Sequence, residues 1–160
     1  LIPNVRREIS IPLIAAGGIA TGRQILAAMT LGADGVQMGS RFAASFESSA
    51  HELFKNEIVK AQEGDTVLTL KELAPVRLIK NQFYEEVQKA YENCATKEEL
   101  IELLGRARAK KGMFEGDLEK GELEIGQVSS LIDEIQSVED IFKEILKEIR
   151  DFNYNQKMFL

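Results

Sequence analysis

The stretch IPLIAAGGIATG, residues 11–22, decides how the chain is read. An apolar run from Ile11 to Ala16 passes straight into Gly17 and Gly18, and then into Thr21, a residue type that caps helices. A run with no polar alternation suits a short parallel strand covered on both faces. Pro12 fits only near its start, because proline has no N–H for the ladder. Ile25, Leu26, Met29 and Leu31 give the next segment a helical apolar stripe, and Gly32 closes it as a C′ residue. ADGVQMGS, residues 33–40, then reads as a second strand that ends at Gly39 and Ser40. Strand, helix and strand with tight links predict two parallel neighbours.

A side chain at Gly17 or Gly18 would hold a ligand off the main chain; without Cβ atoms the peptide N–H groups can approach it. The helix that follows is expected to aim its N-terminal N–H groups and positive dipole end at the same spot. Parallel neighbours put the Gly17-Gly18 and Gly39-Ser40 bends on one rim, roughly 5 Å apart, where together they can hold a phosphate. Tight turns alone would also explain each glycine pair. The order of the two bends, with a capped helix between them, favours the phosphate. In a (β/α)₈ barrel such a site frequently lies in the loops after strands 7 and 8.

Beyond this unit, Ser49 and Glu52 have capping-box spacing, and Leu53, Phe54, Ile58 and Ala61 follow at helical intervals. TVLTL and APVRLIKN read as extended, with Pro75 arguing for an edge or a loop. Gln82 to Asn93 reads as a helix, and Thr96 with Glu99 opens another. The stretch from Lys110 to Gly126 carries Gly112, Gly116, Gly121 and Gly126 among charges and reads as a loop. Its glycines are either punctuation or a ligand-facing segment, and punctuation is favoured. A last helix runs from about Val138 to Arg150, capped by Ser137, with Val138, Ile141, Phe142, Ile145, Leu146 and Ile149 in one stripe.

Composition narrows the function classes. The 160 residues are 44% hydrophobic and 29% charged, which is globular composition, and the formal net charge of −6 with no long basic block argues against nucleic acid as a partner. No apolar run approaches the roughly 18 residues of a membrane span, so no membrane role is expected. A single cysteine, Cys94, forms no intrachain disulfide and points to a cytoplasmic setting. The chain opens at Leu1 without a methionine, shortly before a buried-type strand, and is expected to be a fragment or a processed chain.

Other residues invite a function and carry a plainer reading. His51, the one histidine, sits at a helix start, where a structural or surface role outweighs a catalytic base. Cys94 has no second histidine or cysteine to build a nucleophile or a metal site. Arg41 could approach a phosphate or pair with a carboxylate elsewhere. Arg77 and Lys80 are expected on a solvent or partner face. The carboxylates of KGELEIG, residues 120–126, are read as solvated charge rather than metal ligands.

IPLIAAGGIATGRQILAAMTLGADGVQMGSRF resembles the end of the barrel in the nitronate monooxygenase family, formerly the 2-nitropropane dioxygenases. That family shares its fold with the FMN-dependent enoyl-acyl carrier protein reductase II enzymes. The likeness continues through ESSAHELFKNEIVKAQEGDT, VRLIKN and GELEIGQVSSLI, and so covers most of the chain. The resemblance implies an α/β fold: the C-terminal fragment of a TIM (β/α)₈ barrel, with its last two strands in about residues 1–65 and a mostly helical extension in about residues 66–160. It implies FMN as cofactor. Gly18 matches the flavin-contacting glycine after strand 7, with Gly17 beside it, and Gln37, Met38, Gly39 and Ser40 match the tetrapeptide after strand 8. Relatives often carry threonine at the position of Ser40, and either hydroxyl can donate to a phosphate. More distantly, the glycine pairs resemble the phosphate site of inosine monophosphate dehydrogenases, whose catalytic cysteine loop has no counterpart here.

The implied activity is FMN-dependent oxidation of nitronates or nitroalkanes with oxygen; the alternative is reduction of an enoyl thioester fed by a nicotinamide donor. Such families place the catalytic histidine and most flavin-ring contacts in the earlier half, so no catalytic residue is assigned within this chain. The expected partners are a small-molecule substrate, the missing N-terminal half of the same barrel and, in an assembly, further copies of the chain. Two barrel strands alone leave an open sheet edge, so the isolated chain is expected to be poorly soluble or stable only beside that half. A rival of another class is a non-enzymatic helical interaction module. It rests on the last helix and the NYNQKMFL tail, residues 153–160, but leaves the paired glycine bends unexplained.

Overall fold

The computed structural model describes residues 1–157, with side chains through Phe152; the last three residues of the tail, and all of its side chains, therefore lie outside what is described. The chain opens with α1 (Ile2–Glu8), then β1 (Ile14–Ala16), α2 (Gly22–Thr30) and β2 (Gly35–Gln37). The two strands pair in parallel, with Ile14 opposite Gly35, Ala15 opposite Val36 and Ala16 opposite Gln37. The expected strand–helix–strand unit is thus present, although β1 is shorter than the apolar run that predicts it. Asp34 explains part of the shortening, because its carboxylate accepts from the Leu13 N–H at 2.8 Å while Arg6 pairs with the same side chain. Thr21 and Gln24 form a reciprocal capping box at the start of α2, and Gly32 ends it with φ 109°.

After β2 come the short α3 (Ser40–Ala43) and α4 (Glu52–Lys60). The latter begins at His51 rather than Ser49: His51 Nδ1 accepts from the Leu53 N–H at 3.2 Å. The imidazole fits there because Gly116 faces it without a side chain, and a Cβ at that glycine would lie 2.5 Å from the ring. Strands β3 (Thr66–Thr69) and β4 (Val76–Ile79) form an antiparallel pair in register from Thr66–Ile79 to Thr69–Val76. Helices α5 (Gln82–Glu92), α6 (Lys97–Leu104) and α7 (Arg108–Met113) follow, and α8 (Val138–Lys157) ends the described chain.

The Lys110–Gly126 segment is more ordered than a loop. Helix α7 runs into it, and Leu123 and Ile125 then lie along β4, with Ile79 N–H donating to Leu123 C=O and Ile125 N–H to Arg77 C=O. Its charge alternation hides this, because the buried positions Leu123 and Ile125 are separated by single glutamates. The KGELEIG carboxylates therefore do stand on a scaffold. Glu122 is only 7% exposed. Burial, and then the Glu124 charge beside it, push its carboxyl up to about 7, against the pull of Arg108.

Three apolar clusters hold the chain. Phe54 and Ile58 of α4 pack with Ile79, Leu123, Ile125 and Ile132. Leu70, Leu78, Phe83, Val87 and Leu100 form a second group under the β3–β4 pair. Ala15, Ile19, Ala28 and Ala33 join β1 to α2. Each fully buried Phe or Ile among these contributes roughly 1.5–3 kcal/mol. Coverage of β1 is one-sided: Ala15 is buried, but Ile14 is 54% exposed and Ala16 is exposed. The expectation of a strand covered on both faces is not met: Ile14 and Ala16 both stand open to solvent. Met29 on α2, and Leu31 just past its end, are likewise half in water. Among the described residues no helix is long and apolar enough to cross a membrane.

Candidate functional site

The parallel pairing of β1 and β2 brings both glycine bends to one rim. Directly past Ala16 and Gln37, which face each other, the chain turns at Gly17-Gly18 and at Met38-Gly39-Ser40. A concavity of about 230 Å³ lies between them, bordered by Gly17, Gly18, Gln37, Gly39 and Ser40 together with Gly126 and Val128. Of the residues expected at a phosphate, only Met38 does not border it; its side chain packs on the Ala15–Ala33 cluster and seats the end of β2. Gly17 and Gly18 hold φ values of 93° and 69°, where a side chain is strained. A Cβ at Gly17, Gly18 or Gly39 would meet no protein atom within 4 Å. Those three positions face open space, as a cradle for a ligand requires.

The donors differ from the expectation. The N-terminus of α2 does not serve the concavity, because Glu148 of α8 occupies it. Its carboxylate accepts from the Gly22 N–H at 2.6 Å and from the Arg23 N–H at 3.3 Å. Thr21 Oγ1 takes the Gln24 N–H and Thr21 C=O the Ile25 N–H. Every donor of that first turn is therefore satisfied within the protein. Gly22 permits the docking, since a Cβ there would lie 2.5 Å from the Ile145 carbonyl. By contrast the N–H groups of Gly18, Gly39 and Ser40 meet no acceptor among the described residues. Ser40 Oγ accepts from the Gly126 N–H at 3.0 Å and keeps its own proton to donate.

That last bond shows what sequence reasoning missed. Gly126 and Val128 close one wall of the concavity, and a 3₁₀ turn over Gln127–Leu131 follows them. A Cβ on Gly126 would lie 2.8 Å from Ser40 Oγ. The segment GELEIGQVSSLI carried the resemblance, but nothing in its spacing ties Gly126 to Ser40, which lies 86 positions earlier.

The remaining tempting residues do structural work. Arg41 is 6% exposed and pairs with Glu144 and Gln136, away from the glycine bends. Arg77 binds Thr66 across the hairpin and Lys80 binds the Gly64 carbonyl. Cys94 is exposed and closes α5 in a left-handed conformation with φ 56°. Among the described residues there is no cluster of three metal-ligating side chains.

Comparison with known proteins places this chain in a family. The family model for nitronate monooxygenase matches residues 1–148. A probable nitronate monooxygenase from Staphylococcus saprophyticus is 34% identical over 148 residues, which are 90% of this chain and 41% of that protein. The structure of FabK from Thermotoga maritima superposes on 100% of this chain and 51% of its own, with TM-score 0.87 and 41% identity. A nitroalkane oxidase from Streptomyces ansochromogenes gives TM-score 0.76 and 26% identity over 98% of this chain and 44% of its own. The chain thus spans about half, or somewhat less, of the proteins it matches. With that model matched over nearly all of its length, the chain belongs to the nitronate monooxygenase family.

Proposed function

We propose that this chain is the C-terminal part of an FMN-dependent oxidoreductase of the nitronate monooxygenase type and that its glycine bends hold the phosphate end of the flavin. The observation that carries the reading is the shared concavity, with three Cβ-free positions facing open space and, among the described residues, no acceptor for the N–H groups of Gly18, Gly39 and Ser40. Gly17, Gly18, Gln37, Met38, Gly39 and Ser40 form the cradle, Met38 by seating the end of β2 on the Ala15–Ala33 cluster. Gly126 N–H keeps the Ser40 hydroxyl in place. FMN, when bound, supplies the electron transfer between a nitronate or nitroalkane and oxygen. This chain's part is to bind and orient, and no proton-transfer residue is assigned to it.

In the same reading β1 and β2 are the last two strands of a (β/α)₈ barrel, in about residues 1–65, with the remainder a mostly helical extension. An apolar groove of about 520 Å³ runs along β1, α1 and α2 and includes Ile14, Ala27 and Leu31. It supports an earlier half of the same barrel lying against this edge. The setting is cytoplasmic, the substrate is a small molecule, and further copies of the chain complete an assembly.

The test is flavin retention by the full-length protein. Wild type is expected to purify yellow, and the Gly18→Val, Gly39→Val double variant to fold without flavin. Flavin retained by the double variant overturns the reading. The higher identity to FabK than to the nitroalkane oxidase supports a second reading beside it, reduction of an enoyl thioester by a nicotinamide donor. Oxygen consumption with a nitronate, set against nicotinamide oxidation with an enoyl thioester, separates the two.

A further inference from the structure

Away from the glycine bends, and sharing no residue with them, a concavity of about 360 Å³ opens between the start of α5 and the α6–α7 turn. Arg106, Arg108, Lys111 and Lys120 border it, against one bordering carboxylate, Glu86. This is a local reversal of sign in a chain of net charge −6. The four cations are not equivalent. The Arg108 guanidinium is fixed: it donates to the carbonyls of Leu103, Leu104 and Lys120 at 2.8–2.9 Å and lies 4.5 Å over the Phe83 ring. It has no carboxylate within ion-pair distance among the described residues. Lys111 pairs with Asp117 at 3.1 Å. Arg106 and Lys120 are exposed, with no ion pair or side-chain hydrogen bond among the described residues. Ala107 takes a left-handed backbone, φ 59°, at a cost of about 1 kcal/mol for a residue with a Cβ. The bend sits between the two arginines, both of which border the same hollow.

One fixed guanidinium flanked by two exposed cations that have no ion pair among the described residues suits a phosphate, which offers several acceptor oxygens to guanidinium forks and ammonium groups. We propose that this concavity is a second anion site, for the phosphate monoester of a small molecule, with Arg106 and Lys120 closing on the phosphate and Arg108 supplying a fixed charge beneath it. The site is independent of the flavin reading, because it uses none of the same residues.

The probe is inorganic phosphate, titrated calorimetrically into full-length wild type and into the Arg106→Gln, Lys120→Gln double variant. Both changed side chains are exposed, so the variant is expected to melt like wild type, and the glycine bends are intact in both proteins. Saturable binding in wild type that weakens at least about tenfold in the double variant is expected, from the loss of two charge-assisted contacts. Equal isotherms in the two proteins, or no saturable binding in wild type, overturn the site. Adenosine monophosphate in place of phosphate identifies the carrier: tighter binding that is lost in the double variant assigns a nucleotide, and equal binding assigns the phosphate group alone. Arg108→Lys is a second check. It keeps the charge but not the three carbonyl bonds, and it should weaken phosphate less than the double variant does.

Discussion

Two glycine-rich corners of this chain look alike in sequence and behave oppositely in space. At Gly17, Gly18 and Gly39 an added Cβ would meet nothing within 4 Å. At Gly121 it would lie 2.2 Å from the Gly112 Cα, and at Gly112 it would lie 2.8 Å from the Glu122 carbonyl and from Leu123. The first corner omits side chains and faces open space, as the proposed flavin cradle needs. The second omits them so that two backbones can touch and α7 can rest against the strand-like Gly121–Ile125 segment. Glycine content therefore does not distinguish a cradle from a packing contact; the space in front of each glycine does.

The sharpest way to break this comparison is to fill the packed corner. Gly121→Ala in the full-length protein should cost about 3 kcal/mol or more, the upper range for overpacking, because backbone atoms on Gly112 and Asp117 block the new methyl. Denaturant unfolding reads the loss, and a change below about 1 kcal/mol would show that the two backbones do not meet. Filling the open corner should do the reverse. Gly39 has φ −98°, so Gly39→Val introduces no left-handed strain, and stability should stay within about 0.5 kcal/mol. Flavin affinity should fall about a hundredfold through the loss of two charge-assisted bonds to the phosphate. Equilibrium titration with FMN checks this, and unchanged affinity removes the phosphate from that corner.

A third variant separates the open corner from the helix behind it. Glu148→Ala strips the carboxylate from the Gly22 and Arg23 N–H groups and should lower stability by about 1.5 kcal/mol, as for a charged cap. Flavin affinity should move less than twofold, because those N–H groups face α8 rather than the concavity. A large affinity change at constant stability would return the α2 dipole to the site.

How much of this was legible in the sequence follows from the range of each interaction. The β1–α2–β2 unit was readable because a parallel pair with short links depends on neighbours within about 25 residues, and on a capping box confined to Thr21 and Gln24. The two bends were readable for the same reason. Occupation of the α2 N-terminus by Glu148 was not, since it depends on a contact spanning 126 positions and on the absence of a side chain at Gly22. His51 displaced Ser49 as the cap of α4 through a similar distant effect, the gap left by Gly116. The β4-paired LEI stretch was hidden because charges alternate with its buried residues, and alternation alone does not tell a solvated strand from one laid against a core.

The smallest expected effect is a pH dependence confined to the packed corner. Glu122 lies there, buried beside Glu124, with its carboxyl pushed up to about 7 from an ordinary 4.5. Because the folded value lies above the unfolded one, the folded state binds more protons between pH 4.5 and about 7, and stability falls as pH rises through that window and levels off above it. Glu72, Glu99, Asp117 and Asp140 act in a separate window. Their carboxyls are held down by hydrogen bonds, so the stability they add is lost only as pH falls below the ordinary carboxylate range. Glu122→Gln should therefore leave the acid limb unchanged and gain about 1 kcal/mol at pH 8, where the charged carboxylate is the unfavourable form. At pH 5 the variant and wild type should differ little, since the carboxyl is then already protonated in the fold. Unfolding curves at the two pH values give the test: a gain of equal size at both would assign the effect to packing rather than charge. The FMN titration should not respond to this substitution at either pH, because Glu122 does not border the open corner.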